Sequence, residues 1–122
     1  MIYVYNGRNK NEANKGIKLS GNKCIVCGWD VSDRNGNLIL EAAHVRPYNN
    51  SKEYDTSSNI IALCPNHHEE YDRLNFTINY ENGTIIHRHA DNPLNGKKIL
   101  GKINHISPRF FIYHNTLFKN SL

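Results

Sequence analysis

The chain has 122 residues and a mass of 14.0 kDa, with 39% hydrophobic and 21% charged residues, which fits one small globular domain rather than two. No stretch approaches the roughly 18 consecutive apolar residues of a transmembrane helix, and the first residues lack the pattern of a signal peptide, so we expect a cytoplasmic protein without membrane partners. Three cysteines is an odd number, and in a reducing compartment closely spaced cysteines bind metals more often than they form disulfides.

The net charge of +4 is unevenly distributed. Residues 1–23 contain five Lys or Arg and one Glu, and residues 97–122 contain five Lys or Arg and no acidic residue, so the residues between them are net acidic. Basic ends around a less basic centre suit a polyanion held over a site that binds cations. Solvated surface lysines would give the same pattern, so charge alone does not decide the function.

The first part of the chain predicts short elements separated by turns. Residues 2–5 (IYVY) are typical of a short strand, and residues 9–20 have weak helical character that Gly16 should interrupt. Residues 33–36 (DRNG) indicate a chain reversal that leads into a strand over residues 37–44.

The middle of the chain predicts a loop, a helix and a hairpin. The polar residues 48–58 indicate the loop, and the helix over 65–73 begins with a proline, whose missing N–H would have no partner in the first turn. Residues 76–80 and 84–88 flank Asn82-Gly83, a pair that supplies the positive φ angles of a tight turn. We therefore predict an antiparallel hairpin.

A C-terminal helix is predicted over residues 108–119, with Ser107 as N-cap and Pro108 in the first turn. Apolar and aromatic residues recur there at steps of three and four and should pack on the core: Phe110, Phe111, His114, Leu117 and Phe118. Together these elements predict a single α+β domain over residues 1–122.

Two short motifs supply four ligands of the kind that bind zinc. Cys24 and Cys27 are separated by two residues, as are Cys64 and His67, so each pair can point at one ion from a single turn. Three thiolates and one imidazole form a closed tetrahedral Zn²⁺ site without an open position for substrate. We therefore predict a structural zinc that stabilises a small core.

A second cluster involves different residues. His44 ends the predicted strand, Asn59 follows 15 residues later, and His68 is next to the zinc ligand His67. Adjacent helical residues point about 100° apart, so His68 can face away from the zinc while Asp72, four residues later, lies on its own face. His68 and Asp72 can thus bind one divalent ion from one helix.

These motifs resemble the HNH nuclease family, whose core is a ββα-metal (His-Me finger) motif. The resemblance rests on Cys24–Cys27 (CIVC), Leu40–Tyr48 (LEAAHVRPY) and Asn59–Arg73 (NIIALCPNHHEEYDR), and it covers about 50 residues. These stretches are most similar to HNH domains of restriction-type endonucleases. The resemblance implies a zinc-stapled ββα-metal core over about 24–73, followed by the hairpin and the C-terminal helix over 74–120.

The resemblance also implies roles in hydrolysis of DNA phosphodiester bonds. His44 would be the general base that activates water, His68 would bind the catalytic metal, and Asn59 would orient the loop that carries His44 and lie near the metal. A base near neutral pKa and a divalent cation suit this chemistry, because the transition state gains negative charge at phosphorus. Mg²⁺ or Mn²⁺ fits an oxygen-rich, water-filled site, and Ni²⁺ or Zn²⁺ a nitrogen-rich one.

One position departs from the family pattern. Many HNH enzymes have a metal-binding Asp or His just before the general base, whereas this chain has Ala43, which cannot coordinate an ion. Asp72 matches a helical ligand of the colicin-type nucleases and could compensate, and Glu41, on the same strand face as Ala43, could act through water. Arg46 and Arg73 flank the predicted site and could bind phosphate, although surface ion pairs would explain them equally well.

Two other functions stay open at this point. A zinc domain that binds nucleic acid without cutting it would explain Ala43 as the sign of a lost metal site, and a zinc-stabilised interaction protein would not bind DNA at all. The sequence does not give a target sequence, and a homodimer would be one way to cut both strands.

Overall fold

Three helices and four strands in two antiparallel sheets make up the part of the chain that the computed structural model describes, residue 7 and residues 9–122. In chain order the elements are α1 (Lys10–Leu19), β1 (Glu41–His44), β2 (Ile60–Leu63), α2 (Pro65–Asp72), β3 (Phe76–Asn79), β4 (Thr84–His87) and α3 (Pro108–Asn120). The predicted α+β class is confirmed. The strand predicted for residues 2–5 lies outside the described residues.

The first sheet and α2 form a continuous ββα unit. β1 pairs antiparallel with β2, with His44 opposite Ile60, and β2 runs through Cys64 directly into α2. Cys64 is the N-cap, its sulfur accepting a hydrogen bond from the His67 N–H, and Pro65 occupies the first turn as predicted. The end of β1 and the start of α2 are thus fixed by the same sheet.

β1 is shorter than the predicted strand over residues 37–44. The reversal closes where it was predicted, with the Asp33 carboxylate accepting from the N–H groups of Asn35 and Asn37. The residues that follow pair back toward 31–32, through an isolated bridge between Ser32 and Leu38, so pairing with β2 begins only at Glu41.

α1 is continuous through Gly16, contrary to the predicted interruption. Gly16 is buried against β2, and a Cβ built on it would lie 2.5 Å from the Ile60 side chain. The glycine therefore permits close helix–sheet packing, and tertiary contact offsets its low helix propensity.

The predicted hairpin and C-terminal helix are both present. β3 pairs with β4 around the predicted Asn82-Gly83 turn, but of this pair only Gly83 has a positive φ, of 69°. Phe110, Phe111 and Phe118 of α3 are buried, as the periodicity predicts, although Ser107 caps the helix by position without a side-chain hydrogen bond. Within the described range, none of the helices has the length and apolar character needed to cross a bilayer.

Candidate active site

Three cysteines and a histidine meet at the N-terminus of α2. One ligand atom from each of Cys24, Cys27, Cys64 and His67 lies within 4.8 Å of all the others. The Nδ1 atom of His67 is 3.8 Å from the sulfur of Cys24 and 3.3 Å from that of Cys64, and the sulfurs of Cys27 and Cys64 are 4.0 Å apart. These distances suit a four-ligand site around one ion.

The chemistry of this Cys3His cluster also fits zinc. Burial raises the pKa of the Cys24 and Cys64 thiols, so in an empty site these thiols resist ionisation, whereas a divalent cation would supply the charge that stabilises thiolates. Burial lowers the pKa of His67 and favours the neutral imidazole that a metal requires. The cluster could therefore hold zinc, with the loop over 24–28 and α2 as its two halves.

His68 has quite different neighbours. Its Nδ1 atom lies 2.7 Å from a carboxylate oxygen of Glu41 on β1, and its Nε2 atom lies 3.2 Å from a carboxylate oxygen of Asp72, one turn later on α2. Burial acts to lower the pKa of His68, but the carboxylates of Asp72 and Glu41 outweigh it and the pKa is raised. The predicted pairing of His68 with Asp72 on one helix face is present.

His44, the last residue of β1, is held from two sides. Its ring stacks on Tyr48 with the centroids 5.3 Å apart, and its Nε2 atom lies 3.0 Å from a carboxylate oxygen of Asp55. Burial lowers the pKa of His44 to about 4, so the imidazole is neutral at neutral pH. A neutral ring whose Nε2 faces a carboxylate carries its proton on Nε2.

One cavity brings the two histidines together. It has a volume of about 470 Å³, and His44, His68 and Asp72 all line it. Tyr48 forms part of its wall, and Leu117 brings α3 to its rim. The cavity thus joins a neutral imidazole to an imidazole–carboxylate pair that could bind a cation.

Asn59 supports this cavity from below the surface. It is fully buried, its side-chain oxygen accepts from the Arg46 N–H at 2.8 Å, and its amide group donates to the carbonyl oxygens of Arg46 and Tyr54 at 2.9 and 2.7 Å. These bonds tie the chain after His44 to the loop before β2. They suit an orienting role, and Asn59 does not line the cavity, so its predicted contact with the metal stays a prediction.

The two predicted phosphate-binding arginines do not line the cavity. The guanidinium of Arg46 lies between the rings of Tyr54 and Tyr113, 4.2 and 3.9 Å from their centroids. Arg73 is exposed and pairs with Glu69 at 2.5 Å. Their role in phosphate binding stays a prediction, and these contacts favour a structural role for Arg46 and a surface ion pair for Arg73.

Two acidic residues in these contacts were assigned lesser roles or none by sequence reasoning. The sequence predicts at most a water-mediated role for Glu41, yet Glu41 touches His68 directly while Ala43 is buried in the core. The sequence predicts no role for Asp55, since an aspartate in a polar loop carries no signal that it will be buried beside a histidine of a neighbouring strand. Neither contact follows from local sequence spacing.

Comparison with known proteins supports the predicted resemblance. Residues 24–79 match the sequence profile of a family described as HNH endonuclease. Among solved structures, the fold is similar to a chain titled "Modification dependent TagI restriction endonuclease", with a TM-score of 0.66 and 23% sequence identity over 95% of this chain and 40% of that chain. This chain therefore spans well under half the length of that endonuclease chain. A search of curated proteins gives no match.

Proposed function

We propose that this chain, whose residues 24–79 match the HNH endonuclease family, is a divalent-metal-dependent endonuclease that hydrolyses phosphodiester bonds of DNA. The observation that supports this most strongly is the shared cavity of His44, His68 and Asp72 beside the Cys3His cluster. It unites a proton acceptor and a cation-binding pair at one place, which are the two requirements of metal-assisted phosphodiester hydrolysis.

His44 is the proposed general base. Because burial keeps its imidazole neutral, the ring can accept a proton without first losing one. It takes a proton from a water molecule as the water oxygen bonds to phosphorus, and the bond from phosphorus to the 3′ oxygen breaks. The chain contributes to this step by placing the His44 ring in the cavity wall and fixing its orientation.

His68 and Asp72 are the residues that would hold the catalytic cation, through Nε2 and the neighbouring carboxylate. When bound, such a cation neutralises charge on the phosphate and on the leaving oxygen. Glu41 accepts a hydrogen bond from Nδ1, which fixes the tautomer of His68 and leaves Nε2 for the metal. Two protein ligands leave most positions to water, which favours Mg²⁺ or Mn²⁺, while the imidazole would also admit Ni²⁺.

The Cys3His cluster is assigned a structural zinc. Its four donors complete a tetrahedral set, so substrate would find no open position. By fixing the first turn of α2, this zinc would also determine where His68 points. Asn59 has the orienting role, through the loop that carries His44 and Arg46.

The experiment is a cleavage assay on supercoiled plasmid with Mg²⁺ or Mn²⁺, with an EDTA control and a parallel gel-shift measurement. The proposal predicts nicked or linear DNA only when the divalent ion is present. Ala43 favours one alternative, a nucleic-acid-binding module that has lost a metal ligand. That alternative predicts a salt-dependent shift without cutting, and this result would overturn the nuclease proposal.

A further inference from the structure

Asp55 is a buried carboxylate with two defined contacts. It follows a short 3-10 turn at Lys52–Tyr54 and is only 6% exposed. One oxygen lies 3.0 Å from Nε2 of His44, and the other accepts a hydrogen bond from the backbone N–H of Asn9 at 2.9 Å. Burying a carboxylate is unfavourable unless such partners compensate, so its position beside His44 calls for a reason.

The second contact fixes the direction of the carboxylate. Asn9 is the N-cap of α1, so the Asn9 N–H comes from a backbone that is itself anchored at a helix end. With one oxygen held there, the other oxygen has little freedom to leave the His44 ring. Asp55 thus connects a rigid element to an imidazole that lines the cavity.

We infer that Asp55 is a positioning residue for His44, holding the proton on Nε2 so that Nδ1 is the atom that accepts a proton from water. The catalytic part of this inference rests on the proposed nuclease function. The tautomer of His44 can be tested independently of that function. The carboxylate also stabilises the imidazolium that forms once the water proton is taken.

Three other described residues act on the His44 ring. The charge of Asp72 raises the pKa of His44 and that of His68 lowers it. Tyr48 stacks on the face of the ring. Among the residues that the structure describes, Asp55 is the acidic one at hydrogen-bond distance from a nitrogen of the ring. Its removal should therefore change the ring's tautomer as well as its charge environment.

Glu12 supplies a matched control. Its carboxylate accepts from the backbone N–H of Ser57 at 3.1 Å, so it also links α1 to the loop before β2. Unlike Asp55, Glu12 has no described contact with His44. Glu12→Gln therefore tests the anchoring of α1 without changing the neighbour of the imidazole.

The first measurement uses the parent protein. Nitrogen NMR of histidine-labelled, zinc-loaded protein at neutral pH, with the His44 signals assigned by a His44→Gln spectrum, reports which ring nitrogen carries the proton. The inference predicts a neutral His44 protonated on Nε2. A ring protonated on Nδ1 would overturn the inference, whatever the protein's activity.

The second measurement compares Asp55→Asn with Glu12→Gln and the parent. Asp55→Asn should shift the His44 tautomer signals, reduce cleavage by roughly 100-fold and move the acid limb of the pH–rate profile to lower pH, because the anion that favours imidazolium is gone. Glu12→Gln should keep the parental His44 signals and pH profile. If Asp55→Asn keeps them too, with cleavage within about threefold of the parent, Asp55 has no positioning role.

These outcomes separate the inference from the function on which it rests. If the parent does not cut DNA, the nuclease proposal fails, while the NMR comparison still decides the hydrogen bond between Asp55 and His44. If the parent cuts and Asp55→Asn behaves like it, the positioning role fails and the nuclease proposal stands.

Discussion

Two neighbouring histidines of α2, His67 and His68, have environments that differ in almost every respect. His67 lies among three sulfurs in a cluster whose four donors are mutually within 4.8 Å, whereas His68 lies between two carboxylates at the wall of a cavity. Burial lowers the pKa of the first, and carboxylates raise that of the second. One residue type thus serves two kinds of site because neighbours, and not the side chain, determine the chemistry.

The largest effect is expected from loss of the Cys3His cluster, and it is on stability. Cys64→Ser, or a strong chelator, should remove the zinc and with it most of the folding free energy, since structural zinc binding contributes on the order of 10 kcal/mol. Thermal melting followed by circular dichroism, together with metal analysis, checks this. His89→Ala, at an exposed position, is the control and should melt like the parent. A cooperative melt of Cys64→Ser at the parental temperature would contradict a structural site.

A substitution in the cavity should change activity and leave stability nearly unchanged. His44→Gln should reduce cleavage by about 100- to 10,000-fold while zinc content and melting temperature stay close to those of the parent, because the change removes a proton acceptor. Initial rates on supercoiled plasmid give the measurement, with His89→Gln as the control. A folded, zinc-loaded His44→Gln protein that cuts at the parental rate would show that His44 is not the base.

A smaller effect is expected from Glu41, which acts on the metal through His68. Glu41→Gln should weaken catalytic metal binding by about 10- to 100-fold, because the carboxylate that orients the imidazole is lost, and excess metal should restore cleavage. Titration of cleavage against Mn²⁺ measures this. Glu69→Gln, which removes only the exposed ion pair with Arg73, is the control. Equal half-saturating metal concentrations in both variants would rule out the orienting role of Glu41.

Most secondary-structure elements and the zinc motif were predictable because their signals are local. The Asn-Gly hairpin turn, the proline that begins α2 and the short Cys–Cys and Cys–His spacings each need only a few neighbouring residues. The start of β1 and the continuity of α1 through Gly16 were not, because they depend on pairing toward 31–32 and on packing against Ile60. Sequence patterns do not contain those tertiary contacts.

The candidate site divides in the same way. His68 and Asp72 could be paired from helical spacing alone, since they are one turn apart. Asp55 could not be paired with His44, because the chain folds back after the turn at Lys52–Tyr54 and buries Asp55 beside the end of β1. Arg46 was expected near phosphate, yet two tyrosines from different parts of the chain enclose its guanidinium.

The smallest effect concerns pH and stability. His44 is half-buried and His114 is buried, and removal from water lowers the pKa of each to about 4 from the ordinary value of 6.5. Between these values the unfolded chain binds more protons than the folded one, so the stability that the neutral rings allow is complete above pH 6.5 and decreases as the pH falls toward 4. The slope is at most about 1.4 kcal/mol per pH unit for each ring.

Denaturant titrations at neutral and acidic pH, with zinc in excess, measure this slope. The Nε2–H of His114 donates to the Tyr71 carbonyl oxygen, and its Nδ1 accepts from the Thr77 hydroxyl; none of its described contacts is with the Cys3His cluster. His114→Gln should therefore flatten the pH dependence without changing the zinc content. An equally steep dependence in this variant would show that His114 does not titrate on unfolding.

The most direct measurement of the central claim, that adjacent histidines of one helix serve two separate metal sites, is metal analysis and cleavage of His68→Ala. The protein should retain one tightly bound zinc per chain and its parental melting temperature, and lose both the weaker divalent ion and the cleavage of plasmid DNA. Loss of the zinc, or undiminished cleavage with the zinc retained, would contradict the account.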